Sequence, residues 1–210
     1  MNYTGTYIDE EGNSKTITIT EDDSRVALKN DTEELKRRFN PTRVSIKEVM
    51  RKPGEAARIE ITVHAKTDYL SSGIDVTPKE CDSMTATMIC YPGYPVVKMK
   101  AFYPSDHYLA SLNVFASGDA CIDEWKITTS SLLTVADKLV RDMVHDPNVT
   151  REDSRANSKL QSWYTENKNA GRFPTIHPKL LYAPELTALP PRKVTVKPVT
   201  APPPLPGRHH

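Results

Sequence analysis

The sequence predicts an α+β protein in which the strands form an antiparallel meander and the helices lie at either end. Four stretches between residues 43 and 102 alternate apolar and polar residues, which is the period of half-buried strands. Two stretches after residue 130 carry apolar residues at helical spacing. A long segment that has neither period separates these two groups.

The composition is that of an ordinary soluble globular protein. The chain has 210 residues, of which 38% are hydrophobic, and 28 basic residues against 27 acidic ones give a net charge of +1. This balance gives no reason to expect nucleic acid or a membrane as partner. No apolar run approaches the ~20 residues of a membrane span, and the polar N-terminus is unlike a secretory signal. Three cysteines are too few for a disulfide framework, and no His/Cys spacing resembles a zinc site. We therefore expect a cytoplasmic protein without metal or cofactor.

The first part of the chain predicts a hairpin, a helix and two strands. TYIDEEGNSKTITIT, in which threonines alternate with isoleucines, predicts a β-hairpin within residues 1–28, which we assign to an N-terminal extension. In NDTEELKRRFNP, Asp31 or Thr32 is expected to cap a helix with an acidic first turn and a basic last turn, and Pro41 ends it. RVSIKEVM and ARIEITVHA then predict adjacent antiparallel strands.

The second part predicts two more strands, two helices and a tail. Residues 67–82 are polar and rich in turn formers, SMTATMIC predicts the third strand, and VVKMKAF predicts the fourth. SSLLTVADKLVRDMVHDPN predicts a helix stopped by Asp146-Pro147, and SRANSKLQSWYTENKNAG predicts another that ends at Gly171. The proline-rich residues 184–210 predict an extended, disordered tail, so the folded domain is expected to span residues 29–183.

The most distinctive pattern lies in the segment before the first of these two helices. In SLNVFASGDACIDEW, Asn113 lies eight residues before Cys121, and Trp125 lies four residues after it. The turn Tyr91-Pro92-x-x-Pro95 precedes the fourth strand. With the order of elements, these motifs resemble the ubiquitin-conjugating enzymes, which have a similar turn, an asparagine eight residues before the active cysteine and a tryptophan after it. The resemblance covers about residues 30–180 and is closer to the bacterial branch, where few residues separate cysteine and tryptophan.

The resemblance implies a ubiquitin-conjugating-enzyme-like fold and an acyl-transfer enzyme. Such a fold has an N-terminal helix, a four-stranded meander, a long active-site loop and two C-terminal helices. Cys121 would carry a ubiquitin-like modifier as a thioester, supplied by an adenylating activating enzyme, and pass it to an amine on an unidentified target. Cysteine suits both steps because its thiolate attacks well and its thioester reacts with amines. Asn113 would stabilise the oxyanion with its amide. Alternatively it only holds the loop, and the two roles are compatible.

The resemblance also implies an acidic residue that accepts the proton of the attacking amine. In the family this residue follows an Asp-Pro-Asn segment, and here Glu152 and Asp153 follow residues 146–148. Asp123 and Glu124 lie nearer to the cysteine in sequence. For each of these four residues the alternative is an ordinary solvated charge.

A basic surface at the end of the first helix is the third feature that the resemblance implies. The family contacts its activating enzyme there, so we expect Lys36, Arg37 and Arg38 to take part in docking. The alternative is that the three residues only compensate the helix dipole, which is worth a few tenths of a kcal/mol.

Three features depart from the family pattern. Ser111-Leu112-Asn113 replaces the usual His-Pro-Asn, whose histidine has a structural role, so the replacement bears on the geometry of the loop. Gly93 replaces a large apolar residue that touches ligases in animal members, and KITTSS replaces the usual Ser-Pro-Ala after the tryptophan. Both of the latter changes argue against a conventional ligase partner.

Three functional hypotheses remain open at the level of sequence. The first is the conjugating enzyme, and the second is a non-catalytic binding scaffold with the same fold. The third is an unrelated cysteine hydrolase or redox protein, which requires a histidine within hydrogen-bond reach of Cys121 or a second cysteine close enough to bridge. Of the other cysteines, Cys90 ends an alternating strand and is expected in the core, and Cys81 is expected in a polar loop.

Overall fold

The computed structural model describes residues 1–9, 11–49, 55–71, 77–122, 130–150 and 156–184. Within these residues the chain forms nine strands, three α-helices and two short 3-10 turns. The strands are β1 (Asn2–Ile8), β2 (Ser14–Thr20), β3 (Val44–Val49), β4 (Ala57–Val63), β5 (Thr67–Leu70), β6 (Lys79–Cys81), β7 (Met84–Cys90), β8 (Lys100–Phe102) and β9 (Tyr108–Leu109). The helices are α1 (Glu21–Arg38), α2 (Leu132–Asp142) and α3 (Gln161–Asn169), and the 3-10 turns are Ser158–Leu160 and Pro178–Leu181.

The fold is α+β with antiparallel sheets, and the four predicted strands form one sheet in the order β3-β4-β7-β8. The alternation in β4 has the predicted consequence, because Ile59, Ile61 and Val63 are all buried. The fourth strand is shorter than VVKMKAF suggests and begins at Lys100. The predicted hairpin is confirmed as the pair β1–β2, which forms a separate two-stranded sheet.

The prediction of turns over residues 67–82 was wrong at both ends of that segment, of which residues 72–76 lie outside the described residues. β5 and β6 lie within it, and they pair with each other and with β9 to make a third, three-stranded sheet. Cys81 therefore lies in a strand, paired with Thr67, and not in a loop. Short strands with polar sequences such as TDYL and KEC carry too few apolar positions to show a period, so pairing alone reveals them.

The first helix begins 11 or 12 residues earlier than predicted. Thr20 caps it, because its side chain accepts a hydrogen bond from the Asp23 N–H while the Asp23 carboxylate accepts from the Thr20 N–H, a complete capping box. Asp31 and Thr32, the predicted caps, lie inside the helix, and the boundary expected at residue 28 falls within it. The first ten residues of α1 are mostly exposed and show no apolar stripe, so the sequence has no helical periodicity of apolar residues there.

The core lies between the four-stranded sheet and α2, which also packs on α1. Apolar residues of β4, β7 and α2 fill it, and α3 and the segment after it close one end. The predicted helix over SSLLTVADKLVRDMVHDPN is confirmed as α2, with Leu132, Val135 and Leu139 buried. α3 is shorter than predicted, because a 3-10 turn precedes it and it ends two residues before Gly171.

Tyr94 joins three elements at the N-terminus of α2. Its side chain is fully buried, and its hydroxyl accepts a hydrogen bond from the Leu132 N–H (2.6 Å) and donates one to the Asp31 carboxylate on α1. Gly93, beside it, has φ +89°, and its N–H donates to the Ser24 hydroxyl (3.1 Å). A Cβ at Gly93 would lie 2.6 Å from the Tyr3 ring, so only glycine lets the N-terminal hairpin pack here.

We expect Tyr94→Phe to lower the free energy of unfolding by about 1–3 kcal/mol, because the buried Leu132 N–H and Asp31 lose a partner while the ring stays in place. Urea denaturation followed by circular dichroism measures the loss. Tyr7→Phe in β1 is the matched control and should change stability by less than about 0.5 kcal/mol. Equal effects of the two substitutions would show that the Tyr94 hydroxyl does not join these helices.

Candidate functional site

A tight loop brings Asn113 and Cys121 together. The Cys121 N–H donates a hydrogen bond to the Asn113 carbonyl oxygen (2.7 Å), and Val114 and Ala120 form a β-bridge directly inside that contact. Gly118 turns the chain with φ +88°, and a Cβ there would lie 2.7 Å from the Tyr103 carbonyl oxygen, which excludes any other residue without rearrangement. The eight-residue spacing between Asn113 and Cys121 therefore corresponds to one closed loop.

Cys121 is half-buried at the side of a cavity of about 350 Å³ between this loop and α2. The loop contributes one wall and α2 the other, so the cavity exists only where the two elements meet. The lining residues are Asn113, Ala120, Cys121, Ile122, Ser130, Thr134, Val135, Lys138, Leu139 and Asp142. Lys138 crosses the gap, since its Nζ donates to the Cys121 carbonyl oxygen at 3.1 Å.

The buried carboxylate of Asp142 holds the loop to α2. It is 3% exposed and accepts hydrogen bonds from the Ser111 hydroxyl (2.8 and 2.9 Å), the Asn113 Nδ2 (3.2 Å) and the Thr150 hydroxyl (3.1 Å). Burial raises the pKa of the Asp142 carboxyl, although these hydrogen bonds and the nearby His145 act in the opposite direction. Ser111 thus ties the loop directly to the helix.

The side chain of Asn113 is committed to holding the loop. It is 3% exposed, and its amide NH2 donates to Asp142 and to the Val149 carbonyl oxygen (3.1 Å), while its backbone N–H donates to the Ser111 hydroxyl (3.1 Å). This geometry matches the structural role that the sequence left open. Asn113 also lines the cavity beside Cys121.

The three basic residues predicted for docking do not form one exposed set. Lys36 and Arg37 are exposed and form ion pairs with Glu48 (3.2 Å) and Glu34. Arg38 is 7% exposed, pairs with Asp137 of α2 (3.2 Å) and lies over the Tyr182 ring at 5.3 Å. The structure therefore does not support docking by Arg38, whose guanidinium is used inside the α1–α2 contact.

The acidic residues predicted as proton acceptors, Glu152 and Asp153, lie outside the described residues, as do Asp123, Glu124 and Trp125. The carboxylate that does line the cavity is Asp142, which the sequence analysis missed. A signal for it was present, because Asp142 lies three residues after Leu139 and seven after Val135, on the apolar face of α2. A charged residue at such a position must be paired when it is buried.

Neither Cys81 nor Cys90 is among the residues that line this cavity. Cys90 is buried in the core as predicted, and burial raises its pKa to about 12. Burial also raises the pKa of Cys81, whose thiol donates to the Ser83 carbonyl oxygen (3.2 Å). Among the described residues no histidine lines the cavity. His107 stacks on Tyr69, and the buried His145 contacts the Thr67 hydroxyl through its Nε2 (3.4 Å).

The part of the chain that the structure describes contains no group of three or more histidine, cysteine or acidic residues arranged to hold a metal ion. None of its helices is both long enough and apolar enough to cross a bilayer. No protein-family model matches the chain, and no curated protein matches it significantly.

We expect Asp142→Ala to lower the free energy of unfolding by about 3 kcal/mol or more, because it leaves the Ser111, Asn113 and Thr150 donors buried without this acceptor. Asp142→Asn has the same shape and keeps one acceptor oxygen, so it should cost less. Urea denaturation measures both. A loss below about 1 kcal/mol for the alanine variant, comparable to a surface substitution, would contradict the network.

The stability difference between the wild-type protein and Asp142→Asn should also depend on pH. The folded-state pKa of Asp142 is raised, so the folded protein binds this proton more tightly than the unfolded chain does. The contribution of Asp142 is therefore fully present below the unfolded pKa and is lost as pH rises through the folded one. Denaturation between pH 3 and 8 should show the advantage of the wild-type protein falling with pH. A constant difference would exclude a raised pKa.

Proposed function

We propose that this chain is a ubiquitin-conjugating-like enzyme that carries a ubiquitin-like modifier as a thioester on Cys121 and transfers it to an amine. The observation that carries the proposal is the closed loop that places Cys121 and Asn113 on one cavity, joined by a backbone hydrogen bond. The order of elements supports it: α1, the four strands of the main sheet with β5 and β6 inserted between β4 and β7, the cysteine loop, α2 and α3. The finer assignment to a ubiquitin-conjugating-enzyme-like fold is part of this proposal.

Loading requires a thiolate that an extended acyl chain can reach. The Cys121 thiolate attacks the activated carboxyl carbon of the modifier, a C–S bond forms, and the leaving group departs with the electron pair. The half-buried cysteine lies beside the cavity, whose apolar wall from Val135, Leu139 and Ile122 suits a narrow peptide segment. The chemistry needs neither metal nor organic cofactor. The modifier and an adenylating enzyme are the partners that this role requires.

Transfer requires that an amine reach the thioester and that the resulting oxyanion be stabilised. The amine attacks the carbonyl carbon, the C–S bond breaks, and the proton of the amine passes to a nearby carboxylate or to water. Asn113 is the amide donor on the cavity, and it acts once its bond to the Val149 carbonyl opens. Glu152 and Asp153 remain proposed proton acceptors, and the target that supplies the amine remains unidentified.

A non-catalytic scaffold with the same fold is the second candidate, and one observation favours it. Both N–H groups of the Asn113 amide make hydrogen bonds to Asp142 and Val149, which a purely structural residue would also do. A cysteine hydrolase has less support, since no histidine lines the cavity within the described residues. Thioester formation distinguishes an acyl carrier from a scaffold.

We expect the protein to form a covalent adduct that thiols cleave when it is mixed with its activating enzyme, ATP and the modifier. Cys121→Ser should convert the adduct to a more stable oxyester, because an alkoxide is a poorer leaving group than a thiolate. Cys81→Ser is the matched control and should retain the reducible adduct. Gel electrophoresis with and without reductant measures all three. An adduct that persists in Cys121→Ala would exclude Cys121 as the carrier.

Asn113→Ala tests the oxyanion role of the amide. Loss of one oxyanion donor typically costs ~10²–10³ in rate, so discharge of a loaded enzyme to free lysine should slow by about that factor. The variant also loses two buried hydrogen bonds, so its thermal stability is measured alongside and discharge is followed well below the melting temperature. Normal discharge in a folded Asn113→Ala would leave this residue a structural role only.

Charge reversal on α1 tests docking of the activating enzyme. We expect Lys36→Glu with Arg37→Glu to slow loading of Cys121 several-fold without unfolding the protein, because both side chains are exposed and lose only weak surface ion pairs. Arg25→Glu with Lys29→Glu reverses as many exposed charges on the same helix and is the control. Loading rates are measured at low salt, where surface charges act most strongly. Equal loading rates for the two variants would exclude Lys36 and Arg37 as a docking surface for the activating enzyme.

A further inference from the structure

Lys138 brings an amine to the cysteine from the opposite wall of the cavity. It lies in α2, one turn before Asp142, and is half-buried. Its Nζ donates to the carbonyl oxygen of Cys121 at 3.1 Å, and both residues line the same cavity. A lysine that only served solubility would extend into solvent, whereas this one is directed back at the residue that the proposed function acylates.

Covalent geometry places the Cys121 sulfur within reach of this amine. In any cysteine the carbonyl oxygen and the sulfur are about 3–5 Å apart, because four bonds of ordinary length join them. The Lys138 Nζ therefore lies no more than about 8 Å from the sulfur, and rotation about the lysine and cysteine side chains can bring the amine to an acyl carbon on that sulfur. The cavity of about 350 Å³ leaves room for the acyl group as it moves. Holding two reacting groups together in this way raises the rate strongly.

We propose that Lys138 is an internal acyl acceptor, so that an acyl group carried on Cys121 moves to the Lys138 Nζ when no other amine takes it. The inference rests on the proposed function, because it requires an acylated Cys121. The neutral amine attacks the thioester carbon, an N–C bond forms, and the C–S bond breaks. The amine loses one proton, the departing thiolate gains one, and the products are an amide on Lys138 and a free Cys121 thiol. No oxidant or reductant takes part.

The modification would regulate the same site. The amide leaves an acyl chain attached inside the cavity and removes the ammonium that donates to the Cys121 carbonyl oxygen. A self-modified chain would regain its thiol but have less room to accept a second acyl group. Transfer to Lys138 would thus inactivate enzyme molecules that are loaded while no acceptor amine is present.

Lys98 provides the matched control for this geometry. Its Nζ also donates to a backbone carbonyl oxygen beside the cysteine, that of Ile122, at 3.4 Å, but Lys98 is exposed and does not line the cavity. Lys126 lies five residues after Cys121 in sequence, outside the described residues, and is a second competitor. If proximity along the chain decided which lysine receives the acyl group, Lys126 would be modified. If proximity in space alone decided it, Lys98 would be modified as well. Lys138 is the expected acceptor because it lines the cavity and Lys98 does not.

The experiment uses the full chain with Cys81→Ser and a short peptide α-thioester that ends in glycine, so it does not depend on finding the natural modifier. Adducts are followed by intact mass before and after treatment with a thiol, and the modified residue is identified by peptide mapping. We expect an early thiol-sensitive adduct on Cys121 that converts to a thiol-resistant one on Lys138, faster at pH 8.5 than at pH 7, because only the neutral amine attacks.

Lys138→Arg should lower the ratio of thiol-resistant to thiol-sensitive adduct at least tenfold, whereas Lys98→Arg and Lys126→Arg should leave it unchanged. Cys121→Ala should form no Lys138 adduct, which shows that the group arrives through the cysteine. If Cys121 is acylated but the adduct stays thiol-sensitive, or maps to Lys98 or Lys126 in the wild-type chain, the inference is wrong and the proposed function stands. If Cys121 takes no acyl group from either the peptide or the natural modifier, both fail.

Discussion

The buried carboxylate of Asp142 is the constraint on which the candidate site depends. A carboxylate that is 3% exposed is costly unless hydrogen bonds replace its water, and here Ser111, Asn113 and Thr150 supply them. Two of these donors belong to the loop before Cys121 and one to the turn after α2. The hydrogen bonds to this one carboxylate therefore hold together the loop before Cys121, α2 and the turn after α2. The cavity beside Cys121 is the space between the loop and α2.

The N-terminus of α2 is fixed by a second buried polar contact of the same kind. Tyr94 accepts from the Leu132 N–H and donates to Asp31, so the turn before β8, the first turn of α2 and the middle of α1 meet at one hydroxyl. Ser131 adds a capping box to the same turn. With Asp142 at its other end, α2 cannot slide along the sheet without leaving buried donors unsatisfied, which costs ~1–3 kcal/mol each.

The sequence predicted those parts of the fold that have a clear period, and it missed those that depend on pairing or on a single polar residue. The four strands of the main sheet and α2 were found because their apolar positions alternate or recur at helical spacing. The start of α1 was missed because an exposed, polar helix shows no stripe, although Thr20 and Asp23 form a capping box. That Asn113 lies near Cys121 was expected from the family resemblance alone, whereas the partner that holds Asn113, Asp142, required the three-dimensional arrangement.

The three cysteines show how one fold gives the same side chain different chemistry. Cys90 lies in the core, where burial raises its pKa to about 12, so it stays a thiol and cannot attack an acyl group. At Cys81, burial and the charges of Asp68 and two neighbouring acidic residues raise the pKa as well. Cys121 lines the cavity between its loop and α2 and lies across it from Lys138. The environments of Cys81 and Cys90 disfavour their thiolates, which is why the proposed acyl carrier is Cys121.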